Sequence, residues 1–279
     1  MLTDGKATAS PDVDEPRQKR PPHLTIGIGL ICKDGIVLAS DSRTEEPEGS
    51  IKRFDLPKIT TFVCGDFACG IVQAGKTAFS SRCADEIKRR ATENPPKSIQ
   101  KFRDIVTSVA KEIRRHAIDI SPSLDAESRA LHARFSLIIA ICGQTYDLFT
   151  LESWSCYDQP ETKSGRAFIG TGAILASYIL EGLDFHGARM SSGAVAGIYA
   201  IRGVNLKDPD CEGPIRVWRI YAPPKQPNEF DRDMVEDLEN DCARFEAGTR
   251  KEWLEGMAAW MLGQGETIRL KSKGRDQSR

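Results

Sequence analysis

The fold is decided by residues 25–43, which read TIGIGLICKDGIVLASDSR. Two runs of β-branched and other apolar residues flank Lys33-Asp34-Gly35, and an Asp-Gly pair between such runs is a strong signal for a β-hairpin. A hairpin brings its two ends together. The stretch therefore predicts that the hydroxyl group of Thr25 lies near the charged side chains of Asp41 and Arg43.

Composition excludes several classes of function. The chain has 279 residues, a formal net charge of −1, 40% hydrophobic residues and 28% charged residues, which is typical of a soluble globular protein. So small a net charge argues against nucleic acid or an anionic membrane as a partner. The short basic tail at residues 271–275 is interpreted as solvated.

The eight cysteines indicate free thiols. None of them forms a C-x-x-C pair, so no metal site is expected, and several lie in apolar strand-like runs, where a thiol behaves as a small hydrophobic group. With no signal peptide and no apolar run long enough to cross a bilayer, the pattern favours a cytoplasmic protein without a cofactor.

The hydrophobic pattern alternates between hairpins and pairs of helices. A polar loop is expected at residues 44–55, and another polar connection follows residue 151. Ser98 is a candidate N-cap of the second helix. Antiparallel hairpins with helices inserted in pairs favour an α+β layered sandwich. After the opening hairpin, strands are predicted at 58–63, 67–74, 135–142, 146–151, 167–169 and 215–221, and helices at about 76–92, 98–117, 173–181 and 191–204.

Three regions are expected along the chain. Residues 1–24 are rich in proline and charge and are interpreted as a disordered leader or propeptide. Residues 25–222 form the domain, which ends at a proline-rich segment. Residues 223–279 are interpreted as a helical C-terminal extension, ending in the basic tail, that packs on the domain or on a neighbouring chain.

The residues quoted above resemble the β subunit of the proteasome core particle and its bacterial relatives, which are N-terminal-nucleophile hydrolases. The resemblance covers about residues 25–221, with the 25–43 motif as its most specific part, and Gly170-Thr171-Gly172 before a helix adds support. It implies a four-layer αββα sandwich of two antiparallel sheets flanked by helix pairs. It further implies a homo-oligomeric ring or barrel, a polypeptide substrate and an ATPase partner.

The resemblance also implies a set of site residues. Thr25 would be the nucleophile, Asp41 and Lys58 would activate it, and Arg43 would be a structural charge partner. Residues that orient the free α-amine of the nucleophile would be Thr171, Asp208 and Cys211, of which Thr171 and Cys211 replace the usual serine. A backbone N–H would stabilise the oxyanion, from Gly75 or alternatively from Gly70.

Three functions remain open at this point. The first is a threonine-type endopeptidase that acts through Thr25. The second is a non-catalytic structural subunit, because Leu24 stands where self-cleaving relatives carry glycine, and an uncut leader would leave Thr25 without a free amine. The third is an amidohydrolase for small amides, because one fold hosts several such reactions.

Overall fold

The computed structural model describes residues 25–42, 44–45, 52–53, 57–120, 125, 127–129, 133–156, 158–207 and 213–247, and every structural statement below concerns these residues. Their helices and strands, in chain order, are β1 Gly27–Cys32, β2 Gly35–Ser40, β3 Thr44–Glu45, β4 Lys52–Arg53, β5 Ile59–Cys64, β6 Phe67–Gly75, α1 Thr77–Glu93, α2 Ile99–Asp119, β7 Phe135–Cys142, β8 Tyr146–Glu152, β9 Asp158–Pro160, β10 Arg166–Ile169, α3 Ala173–Ile179, α4 Met190–Asn205, β11 Arg216–Ile220, β12 Asn228–Glu229 and α5 Arg232–Ala247.

The strands form two five-stranded sheets and one short ribbon. The first sheet has the order β10-β1-β2-β11-β12, and the second has the order β5-β6-β7-β8-β9. Every pair of neighbouring strands is antiparallel. The ribbon pairs β3 with β4.

Three apolar clusters separate four layers. The inner faces of the two sheets pack together through side chains such as Leu38, Val72 and Ile138. The outer face of the first sheet packs on α3, α4 and α5, and the outer face of the second packs on α1 and α2. This arrangement confirms the predicted α+β fold with a four-layer αββα sandwich.

Most of the predicted elements lie where the sequence placed them. The Ser98 side chain accepts a hydrogen bond from the Lys101 N–H at 3.3 Å, so the proposed helix cap is present. In the 44–55 segment, predicted as a loop, the structure pairs β3 with β4, and it adds β9 and β12. These strands have two or three residues, which is too short for an alternating pattern to reveal.

Residues beyond 222 continue the outer layer of the first sheet. Strand β12 extends that sheet beside β11. Phe230 and Val235 join the apolar cluster under the helices, and Cys242 of α5 packs against Tyr199 of α4. The predicted leader at 1–24 and the residues from 248 to 279 lie outside the described part of the chain.

Two absences concern the described residues only. Among them, no helix combines the length and the apolar character needed to cross a membrane. No disulfide bond joins any of the seven cysteines in this part of the chain.

Candidate active site

The β1–β2 hairpin holds Thr25 beside Asp41. Its register pairs Gly27 with Ser40, so the residues just outside the hairpin ladder meet at its open end. The Ile26 N–H donates a hydrogen bond to Asp41 Oδ1 at 3.1 Å, and the Asp41 N–H donates to the Ile26 carbonyl at 3.4 Å. The predicted closeness of the two hairpin ends is confirmed as far as Asp41, whereas Arg43 is not among the described residues.

Lys58 completes a buried cluster that spans the two sheets. It lies just before β5 of the second sheet, and its ammonium donates to Thr25 Oγ1 at 3.0 Å and to Asp41 Oδ1 at 2.9 Å. Thr25, Asp41 and Lys58 are 5%, 0% and 6% exposed. One lysine therefore joins a hydroxyl group to a carboxylate away from bulk water.

Opposing effects act on the pKa of the Asp41 carboxyl group. Burial raises the pKa of the Asp41 carboxyl, whereas the Lys58 ammonium and the Ile26 N–H act in the opposite direction. Its second oxygen, Oδ2, is buried without a hydrogen-bond partner among the described residues. Arg43, expected to be a charge partner of this cluster, lies outside the described part of the chain.

The loop before α3 packs directly on the backbone of Thr25. Gly170 has φ +88°, and a Cβ added to it would stand 1.8 Å from the Thr25 carbonyl oxygen. A Cβ on Gly172 would stand 3.2 Å from Ile26 Cβ. Thr171 lies between these glycines with an exposed side chain. The loop therefore needs glycine at position 170 both for its backbone conformation and for this close approach.

Of the two oxyanion candidates, Gly75 lies at the strand-to-helix turn. It ends β6 with φ +93°, and a Cβ there would approach Phe135 Cα to 2.8 Å. Two residues earlier, the Gln73 N–H donates to the Lys58 carbonyl at 2.9 Å, which places the turn near the cluster. Gly70, in contrast, pairs with Thr61 on one side and Ala140 on the other, inside the second sheet.

A polar group next to Lys58 was missed by the sequence analysis. The Gln73 side chain, 5% exposed, donates to Thr60 Oγ1 at 3.2 Å and accepts from Ser81 Oγ of α1 at 2.9 Å. Residue 60 of β5 is two positions after residue 58, which precedes the strand, so alternation could have shown that the two lie on the same side. The contribution of Ser81 depends on how α1 packs, and no local pattern carries that information.

A second contact that the sequence did not predict joins the segment at Pro214 to the cluster. Ser42, the neighbour of Asp41, donates from Oγ to the Pro214 carbonyl at 2.8 Å. Pro214 follows the segment that carries Asp208 and Cys211, two predicted site residues that lie outside the described residues. Nothing in the described part of the chain forms a group of three or more His, Cys, Asp or Glu side chains that could bind a metal ion.

Comparisons with known proteins identify relatives by fold alone. No protein-family model and no curated protein matches the sequence. Among solved structures, Anbu (ancestral β-subunit) from Yersinia bercovieri is 15% identical with a TM-score of 0.63 and covers 89% of this chain and 100% of its own. The helical assembly of the Anbu complex from Pseudomonas aeruginosa is 15% identical with a TM-score of 0.66, over 83% of this chain and 96% of its own. An Anbu (Gly-1) mutant from Hyphomicrobium sp. strain MC1 is 14% identical with a TM-score of 0.63, over 83% and 97%.

These matches correct the resemblance drawn from the sequence. The likeness to the core-particle β subunit is wrong, because the structural neighbours are Anbu proteins, a related but distinct family. The physical reason is that residues 25–43 specify a hairpin with a hydroxyl group near a carboxylate. This local arrangement belongs to the fold and does not distinguish one family that uses the fold from another.

Proposed function

We propose that this chain is a threonine-type N-terminal-nucleophile hydrolase that cleaves peptide bonds through Thr25. The observation that carries the proposal is the Lys58 ammonium, which donates hydrogen bonds to both Thr25 Oγ1 and Asp41 Oδ1 in a buried site. Burying a lysine ammonium costs desolvation free energy, which a functional role of the lysine would explain. A cationic donor beside a hydroxyl group can activate it as a nucleophile.

The mechanism requires removal of the leader. Once the Leu24–Thr25 bond is hydrolysed, Thr25 has a free α-amine with an ordinary pKa near 8, which is suited to act as the base. Thr25 Oγ1 attacks the carbonyl carbon of the substrate while its proton passes to the α-amine. The same proton goes to the leaving amine as the C–N bond breaks, and an ester to Thr25 remains. Water then attacks the ester, returns a proton through the α-amine to Oγ1 and releases the acid product.

The other predicted residues take supporting roles in this proposal. Lys58 stabilises the developing alkoxide, and Asp41 keeps the lysine charged and in place. The Gly75 N–H is the proposed oxyanion donor, since Gly70 lies inside the sheet. Thr171, Asp208 and Cys211 would orient the α-amine, and Arg43 would pair with the charged cluster.

The polar group beside Lys58 supports a contact with substrate. A substrate side chain that enters beside the lysine meets the amide of Gln73 and the hydroxyl groups of Thr60 and Ser81. We expect these groups to favour side chains that can form hydrogen bonds, because the Gln73 amide can donate and accept further hydrogen bonds beyond those to Thr60 and Ser81.

Intact-mass analysis of the purified full chain tests the central requirement. The proposal expects a chain that begins at Thr25, and the Thr25→Ala variant, which lacks the hydroxyl group, should retain its leader if cleavage is autocatalytic. Persistence of residues 1–24 on the wild-type chain after prolonged incubation would contradict the proposal.

One observation favours a second candidate, a non-catalytic proteasome-like structural subunit. Leu24, preceded by His23 and two prolines, replaces the small residue that a strained self-cleavage turn favours. In that case the leader stays attached, and Thr25→Ala leaves any activity of the assembly unchanged.

Substrate size separates the endopeptidase from a small-amide amidohydrolase. We expect the processed protein to hydrolyse internally quenched peptides that extend on both sides of the scissile bond. Turnover of small primary amides without turnover of any peptide would favour the amidohydrolase.

Assembly is the last part of the proposal. The Pseudomonas aeruginosa neighbour is a helical assembly of the Anbu complex, and this chain shares its fold. We infer that this chain also associates with copies of itself, which would enclose the site and limit access to unfolded polypeptide.

A further inference from the structure

Glu152 is a half-buried carboxylate that has no part in the mechanism above. It ends β8, and its Oε2 accepts a hydrogen bond from Ser136 Oγ of the neighbouring strand β7. Burial raises the pKa of the Glu152 carboxyl group, and the Ser136 hydroxyl group acts in the opposite direction. Among the described residues, no cation forms an ion pair with it. A carboxylate withdrawn from water without a cation costs desolvation free energy, which a bound cation would offset.

The Glu152 side chain belongs to the inner face of the second sheet. The strand register places Ala74, Ser136 and Glu152 in one row across β6, β7 and β8. Side chains alternate between faces along β8, and Leu148, four residues earlier, packs between the sheets. Neighbouring strands lie about 4.8 Å apart, so the row extends about 10 Å from Ala74 to Glu152. Ala74 directly precedes Gly75, the proposed oxyanion donor.

This row begins opposite the candidate nucleophile. A Cβ added to Gly27 of β1 would stand 2.7 Å from Val72 Cγ1 of β6, so these residues meet across the two sheets. Lys58 precedes β5 beside the end of β6, and its ammonium donates to Thr25 Oγ1, so the start of β1 and the end of β6 lie at the same end of the sandwich. Two residues from the Gly27–Val72 contact towards that end are Thr25 and Ala74. The row therefore leads from the level of Thr25 to Glu152.

We propose that Glu152 is a specificity-determining residue that binds a lysine or arginine side chain of the polypeptide substrate. The inference rests on the proposed function and names the class of peptide that it favours. Ser136 holds one carboxylate oxygen, which leaves Oε1 for the substrate cation. Gln73 and Ala74 are consecutive in β6 and point to opposite faces, so Glu152 and the Gln73 amide contact different side chains of one substrate.

Paired peptides test this role on the processed full chain. Internally quenched peptides carry either lysine or its uncharged analogue norleucine, placed in turn at each position within about three residues of the scissile bond, which covers the span of the row. Mass spectrometry of the products locates the bond that is cut. At one position we expect lysine to raise kcat/KM at least about tenfold over norleucine, chiefly through a lower KM, because a hydrogen bond to a charged group forms on binding.

The Glu152→Gln variant removes the charge and keeps the shape. Its amide oxygen can still accept from Ser136, so we expect a folded protein that has lost the preference for lysine. Glu152→Asp keeps the charge and should retain part of the preference. The midpoint of thermal unfolding of Glu152→Gln should be no lower than that of wild type, because a carboxylate without a cation has been removed.

Asp66→Asn is the matched control. It neutralises an exposed carboxylate in the turn before β6, at the opposite end of the same sheet, and should leave the preference for lysine unchanged. Peptide turnover with the same ratio of lysine to norleucine in wild type and Glu152→Gln would overturn this inference alone. A lower unfolding midpoint of Glu152→Gln together with an unchanged ratio would assign Glu152 to the fold instead. Absence of turnover of every peptide by wild type would overturn the proposed function together with it.

Discussion

Two ionic clusters that join different structural elements, a buried one around Lys58 and a half-buried one around Arg103, differ in how they use their cation. In the first, Lys58 donates to Thr25 Oγ1 and to a single oxygen of Asp41. In the second, Arg103 of α2 holds both oxygens of Asp147 at 3.0 and 2.9 Å and one oxygen of Asp158 at 2.5 Å. The arginine guanidinium also lies 4.5 Å from the centre of the Phe149 ring.

The difference is the one expected between a cluster that stabilises the fold and, under the proposed function, one that takes part in chemistry. The planar guanidinium of Arg103 satisfies two carboxylates at fixed angles, and Thr162 adds a hydrogen bond of 2.6 Å to Asp147. The compact ammonium of Lys58 contacts a hydroxyl group, while Asp41 Oδ2 lacks a partner among the described residues.

Removing the nucleophile gives the largest expected effect. Relative to the processed wild type, Thr25→Ala should lower kcat/KM for peptides by about a thousandfold or more, because no other group forms the acyl intermediate. Thr25→Ser keeps the hydroxyl group and should retain measurable activity. Peptidase assays check both. Activity of the alanine variant equal to that of wild type would place catalysis elsewhere.

Removing the lysine should affect both activity and stability. Lys58→Met leaves Asp41 as an uncompensated buried carboxylate, so the free energy of unfolding should fall by about 3–5 kcal/mol. The double variant with Asp41→Asn should recover a large part of that loss without recovering activity. Denaturant titration with parallel assays checks this. Full activity in folded Lys58→Met protein would argue against a catalytic lysine.

Breaking the arginine cluster should affect stability only. Arg103→Met leaves Asp147 and Asp158 without their cation, and because the latter is partly exposed, we expect a loss of about 2 kcal/mol in the free energy of unfolding. At a temperature where the variant is folded, kcat should match that of wild type. A selective fall in kcat would mean that the two clusters are not separable in function.

The smallest expected effect is a pH dependence from Asp41. Because burial raises its pKa, the folded protein binds the Asp41 proton more tightly than the unfolded chain does. Lowering the pH from above the raised value towards the ordinary value of 3.8 should therefore stabilise the wild type relative to Asp41→Asn, in which position 41 does not titrate. Denaturant titrations across this window check the sign. A difference that moves in the opposite direction would show that the lysine outweighs burial.

Local patterns in the sequence carry much of the fold and part of the site. The Asp34-Gly35 turn predicts the hairpin, and the hairpin predicts that Thr25 meets Asp41. Apolar stripes predict α1 and α2. The short strands β9 and β12 form because a neighbouring strand is present, so their own residues do not predict them.

What the sequence misses depends on contacts between distant segments. The hydrogen bond from Ser81 to Gln73 exists because α1 packs beside β6, and the bond from Ser42 to Pro214 joins residues 172 positions apart. The resemblance drawn from the sequence was wrong for a related reason. The 25–43 motif describes the geometry common to the fold, whereas the features that separate families are spread along the chain.

The position of the β1–β2 hairpin in its sheet has a consequence for the order of folding. This hairpin is among the earliest described residues to leave the ribosome, yet its neighbours in the sheet are β10 and β11, which are synthesised far later. Until those strands arrive, both long edges of the hairpin expose unpaired backbone groups, which favours association with other chains. During translation the nascent chain therefore holds its candidate nucleophile on an unfinished sheet. A chaperone that covers the hairpin edges at that stage would raise the yield of correctly folded protein.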